Sequence, residues 1–103
     1  MRYVLVLQFG ADSLADYDAM VTLENNLIEE LGTTAAVDGH DLGNGEMNIF
    51  ILTSDPVATF ERSKQVLEGS GRLQAVTAAY RAVESELYTV LWPEDSLRPF
   101  TIT

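Results

Sequence analysis

The run Tyr3-Val4-Leu5-Val6-Leu7-Gln8-Phe9 constrains this chain more than any other segment. Strand side chains alternate between two faces, and here Tyr3, Leu5, Leu7 and Phe9 alternate with Val4 and Val6, so both faces are apolar. A strand of that kind needs cover on both sides and belongs in the interior of a sheet. Residues 47–53 repeat the pattern, with Met47, Ile49 and Ile51 alternating with Phe50 and Leu52. Residues 35–42 differ: Gly39, Asp38, His40 and Asp41 weaken the strand and suit a sheet edge. Residues 73–83 read as a long late strand, and residues 88–92 as a shorter one closed by Pro93.

Two helices fall between these strands. Ser13, with Asp16 three residues on, has the form of a capping box, and Tyr17, Met20, Val21, Leu23, Leu27, Ile28 and Leu31 follow near helical spacing. Gly32 supplies the stop. The second helix starts at Ser54-Asp55-Pro56, because Asp55 can accept from free amides and Pro56 suits the first helical position. Val57, Phe60, Lys64 and Leu67 then line one side, and Gly69-Ser70-Gly71 ends it.

The order is β-α-β-β-α-β with an additional C-terminal strand. Right-handed crossovers put both helices on one face of an antiparallel sheet, which makes the expected fold α+β and ferredoxin-like. A chain of 103 residues, 47% hydrophobic, has the apolar content for one core and the length of one domain, expected to span residues 1–103. The segment Asp38-Gly39-His40-Asp41-Leu42-Gly43-Asn44-Gly45-Glu46-Met47-Asn48-Ile49-Phe50-Ile51 resembles small bacterial proteins of ferredoxin-like architecture. The resemblance covers mainly this hairpin and implies the fold without an activity.

Asn44-Gly45 between two strands is the signature of a two-residue turn, since both positions tolerate positive φ. A turn there pairs residues whose numbers sum to about 89: Asp41 faces Asn48, His40 faces Ile49 and Asp38 faces Ile51. Asp38 and His40 would then share a face, with Asp41 on the other. Reading the glycines as a phosphate cradle is less apt, because no helix start follows them and the surroundings are acidic.

Charge is unevenly placed. The formal net charge is −10, and no Lys or Arg occurs between Tyr3 and Glu61, where eleven carboxylates fall. Such a field repels phosphate backbones and anionic lipid, so neither nucleic acid nor a membrane surface is an expected partner. The absence of cysteine removes thiol nucleophiles, thiolate metal sites and disulfides, and the short apolar start reads as a strand; a cytoplasmic protein is expected.

His40 is the only histidine and the most obvious candidate general acid or base, though no motif sets a nucleophile beside it, so no catalytic residue is assigned. Asp38 and His40 on one strand do not make a metal site, and no metal or cofactor is expected. Tyr80, Tyr88 and Trp92 are pocket candidates whose commoner role is core or dimer packing. Glu29 and Glu30 lie where the helix dipole disfavours anions, with no base nearby in sequence to offset them. Glu29, Glu30, Asp38, His40 and Asp41 are accordingly the expected partner-binding residues.

The expected function is a non-enzymatic interaction or regulatory module that binds a protein, a basic one by this electrostatic logic; an immunity-type inhibitor of a basic toxin would fit it. The alternative is a small enzyme or small-molecule-binding protein of the dimeric α+β barrel type, with a pocket on the sheet face. A homodimer through the sheet face away from the helices is expected, because two helices can cover only one apolar face. A pocket holding His40 with Tyr80 or Tyr88 separates the two readings.

Overall fold

The computed structural model describes residues 2–10, 14–43, 45–94, 100 and 102. The element order is β1 (Tyr3–Gly10), α1 (Leu14–Leu31), β2 (Ala35–Gly43), β3 (Glu46–Thr53), α2 (Pro56–Gly69), β4 (Thr77–Ala82) and β5 (Thr89–Trp92). The strands form one antiparallel sheet in the order β2-β3-β1-β4-β5. The doubly apolar strands β1 and β3 are both interior, and the polar β2 is an edge.

One face of the sheet carries the core. Leu5, Leu7 and Phe9 pair with Ile51, Ile49 and Met47, and pack with Met20, Leu23, Leu27 and Leu31 of α1 and Phe60 and Leu67 of α2. The two helices pack on each other above this face. On the opposite face Val4, Val6 and Ala79 are buried and Phe50 and Leu52 half-buried. Gln8 Nε2 donates to Asn48 Oδ1 at 3.1 Å and Asn48 Nδ2 to Glu46 Oε2 at 3.2 Å, which satisfies an Asn48 only 1% exposed.

The helix ends follow their sequence signals. Gly32, at φ +54, donates its N–H to the Ile28 carbonyl, a left-handed stop for α1. Asp55 accepts from the Ala58 N–H at 3.0 Å, and Pro56 opens α2. At its end, the Arg72 N–H reaches the Leu67 carbonyl and the Gly71 N–H the Glu68 carbonyl, with Gly71 at φ +73. The cap expected at Ser13 and the turn residue Asn44 lie outside the described residues.

Three expectations need correction. Residues 73–75 form a turn, with the Ala75 N–H donating to the Arg72 carbonyl, so the strand expected over 73–83 is reduced to β4. Val57 is 51% exposed, and α2 is buried through Pro56, Thr59, Phe60, Ser63 and Leu67 instead. Asp38 does not face Ile51: Val37 does, and the register shifts before Gly39, which faces Phe50 at φ +130. Asp38 is the extra residue of a bulge, so the two-residue period that would align it with His40 is broken. Beyond the bulge, His40↔Ile49, Asp41↔Asn48 and Gly43↔Glu46 pair in the expected register.

Candidate functional site: the α1–β2 flank

The helical period separates the apolar residues of α1 into two stripes. Met20, Leu23, Leu27 and Leu31 form the buried one. Tyr17, Val21, Glu24 and Ile28 fall about a quarter-turn around the helix, on an adjacent stripe. This second stripe meets the edge strand β2. His40 Nδ1 lies 3.1 Å from Glu24 Oε2 and 3.3 Å from Oε1, and the His40 ring stands edge-on to Tyr17 at 5.9 Å between centroids. A carboxylate only accepts, so Nδ1 carries the proton in this contact.

Further along the same seam, Ile28, Gly32, Thr33, Ala35, Ala36 and Val37 line an open hollow of about 460 Å³. Ile28 is 50% exposed there, Ala36 is exposed and Val37 is half-buried against the core. The hollow exists because the buried stripe of α1 points at the interior strands and leaves the start of the edge strand incompletely covered.

The charges on this flank are mostly unused by the fold. Among the described residues, Asp18, Glu29, Glu30, Asp38 and Asp41 form no ion pair. The C-terminal end of α1, in contrast, does find a cation. Arg62 of α2 donates from Nη2 to the Glu30 carbonyl at 2.6 Å and from Nη1 to Thr34 Oγ1 at 3.1 Å, while Thr34 Oγ1 donates to the Leu31 carbonyl. The unfavourable setting of Glu29 and Glu30 is thus offset within the chain, by a residue 32 positions from Glu30. Sequence proximity could not reveal it.

The aromatic candidates lie elsewhere. Tyr80 is on β4, edge-on to Tyr3 at 5.9 Å and packed against the core. Trp92, on β5, donates its Nε1–H to the Leu73 carbonyl at 3.0 Å and meets the Phe60 ring at 6.2 Å. Lys64 Nζ sits over both rings, 4.7 Å from the Trp92 centroid and 5.4 Å from that of Phe60. Tyr88 contacts Phe100 and lies near the Arg81 guanidinium, whose Nη1 donates to the carbonyls of Ala82, Val83 and Ser85. Tyr80, Tyr88 and Trp92 therefore belong to the β4–β5 side of the sheet, while His40 is on the β2 edge.

Chemically, His40 and Glu24 make an oriented imidazole–carboxylate pair. No serine or threonine hydroxyl contacts His40 among the described residues. Among the described residues, no group of three or more His, Asp or Glu side chains is arranged to hold a metal ion, and no helix is long and apolar enough to cross a membrane. Glu24, Ile28 and Arg62 were not among the site residues expected from the sequence. The split of the α1 pattern into two stripes was the available signal for the first two.

Compared with protein-family models, with curated proteins and with solved structures, the chain has no match.

Proposed function

We propose that this chain is a non-enzymatic interaction module that binds a basic protein through the flank formed by α1 and β2. The observation that carries this reading is the separation of His40 from Tyr80, Tyr88 and Trp92 across the sheet order β2-β3-β1-β4-β5. A catalytic pocket of the dimeric-barrel type would need the histidine beside one of those aromatics, whereas His40 is engaged by Glu24 and Tyr17. Glu29, Glu30, Asp38 and Asp41 supply the field that attracts the partner, with His40 between the two strand carboxylates.

The fold proposed for this module is the ferredoxin-like one, extended by β5 beyond β4. On its helix-free face Val4, Val6 and Ala79 are buried within the single chain, and only Phe50 and Leu52 stay partly exposed for pairing with a second copy. Light scattering at micromolar concentration is expected to give the mass of a homodimer, and a monomer mass overturns that part.

The binding reading is tested by replacing Glu29 and Glu30 with Gln. Long-range attraction acts mainly on the association rate and is screened by salt. Partner recovery from a lysate of the native organism should fall for the double variant at low salt, and the difference should shrink at physiological salt. Equal recovery at both salt levels removes the acidic flank from binding.

A further inference from the structure

The hollow at the α1–β2 seam has apolar walls on an otherwise acidic flank, and the two properties together specify an occupant. We propose that it receives a single large apolar side chain from a basic segment of the partner, with lysines or arginines on either side of that anchor. This rests on the binding reading above and adds the place and chemistry of contact.

The apolar part of the argument is geometric. Ile28 is half exposed, although the same helix buries four residues completely or nearly so, and it shares the hollow with Val37, whose partner Ile51 lies on the helix-covered face; Ala36, opposite Leu52, turns its side chain to the other face. Covering Ile28 and Val37 stabilises a complex in proportion to the apolar area removed from water. Strand addition along β2 is a poor alternative. The bulge at Asp38 interrupts the edge, and the exposed carboxylates of Asp38 and Asp41 guard it.

The charge part of the argument is one of sign. Asp18, Glu24, Glu29, Glu30, Asp38 and Asp41 are the charged side chains of known placement on α1 and β2, His40 aside, and every one is a carboxylate. Arg62 is directed at the end of α1 and held by the Glu30 carbonyl and Thr34. A neutral apolar segment would fit the hollow and ignore this field. A basic segment without an anchor would use the field and leave the hollow open to water. One with both satisfies each feature, since electrostatic complementarity brings the partners together and a buried apolar anchor holds them.

The experiment is a titration of the isotope-labelled full chain with three synthetic peptides, followed by NMR. The first peptide is a lysine- and arginine-rich twelve-mer with a central leucine, the second has serine at that position, and the third keeps the leucine in a neutral sequence. The leucine-bearing basic peptide should shift the amide signals of Ile28, Gly32, Ala36 and Val37. The serine peptide should bind about tenfold more weakly or worse, as loss of one buried leucine implies. Ile28→Gln should abolish this preference; the position is half exposed, so the variant should fold, and an unchanged thermal transition checks that it does. If both basic peptides bind equally, with shifts spread over the carboxylates, the anchor proposal fails while the acidic binding surface stands. If the neutral leucine peptide binds as well as the basic one, the charge requirement fails. If no peptide binds, both proposals are overturned.

Discussion

The two edges of the sheet use their charged residues in opposite ways. On the β4–β5 side the bases are turned inward to structural work: Lys64 covers the Trp92 and Phe60 rings, and Arg81 gathers the carbonyls of Ala82, Val83 and Ser85. On the α1–β2 side, Glu24 is engaged by His40, while Asp18, Glu29, Glu30, Asp38 and Asp41 form no ion pair among the described residues. Lys64 and Arg81 are held by rings and carbonyls of the fold, whereas carboxylates with no such partner create a field available to another molecule. The comparison therefore predicts that truncations near β5 will damage stability and that changes on the α1–β2 flank will mainly alter binding.

The largest expected effect separates Trp92 from Ile28. Trp92→Ala removes the Phe60 ring contact, the bond to the Leu73 carbonyl and a platform for Lys64, and should cost about 3 kcal/mol in urea unfolding. Ile28→Ala removes a half-exposed side chain and should cost less than about 1 kcal/mol. Equal losses would show that the seam is as much a part of the core as β5, and would weaken its reading as a docking surface.

How much of this was readable beforehand follows from the range of each interaction. The interior strands, both helix stops and the hairpin register rest on patterns within a few residues, and these signals were legible. The bulge also had a local sign, Gly39 inside a strand-like run, but the pairing rule set by the Asn44-Gly45 turn assumes a regular ladder. The turn at 73–75 had none, because Leu73-Gln74-Ala75-Val76 contains no Gly or Pro and reads as strand. Its placement depends on long-range partners such as Trp92, whose indole is bonded to the Leu73 carbonyl. At the candidate site, the acidic residues could be named from the sequence, but the contact that fixes His40 spans 16 positions and that of Arg62 spans 32. Those pairings are consequences of how α1 packs against β2 and α2, which no local pattern encodes.

A middle-sized effect is expected at Arg62, a base from α2 that serves the acidic flank. Arg62→Ala removes the bonds to the Glu30 carbonyl and Thr34 and leaves the negative end of the α1 dipole without its cation. Both partners are solvent-exposed, so the loss should be about 1 kcal/mol in urea unfolding. The His40–Glu24 contact should matter less. With its imidazole about a third exposed, a double-mutant cycle combining His40→Ala and Glu24→Gln should return a coupling of about 0.5 kcal/mol. A coupling several times larger would make this pair a structural clasp comparable with those near β5.

The smallest effect on stability is expected from neutralising Glu29 and Glu30 together, and it provides the sharpest test of the comparison. Two terms oppose each other in the intact chain. Removing two anions from the last turn of α1 relieves their repulsion with the helix dipole, but it also removes attraction between those anions and the nearby Arg62 guanidinium. Each term is small at an exposed site, so the double Gln variant should unfold within about 0.5 kcal/mol of the wild type. In an Arg62→Ala background only the repulsive term remains. The same two substitutions should then be stabilising by about 0.5 kcal/mol, and the gain should diminish at high salt. Urea unfolding of the four proteins at low and high salt measures this difference. A loss above about 1 kcal/mol in the intact background would mean that the fold uses these carboxylates as it uses Lys64 and Arg81 on the other edge, and the proposed contrast between the two flanks would fall.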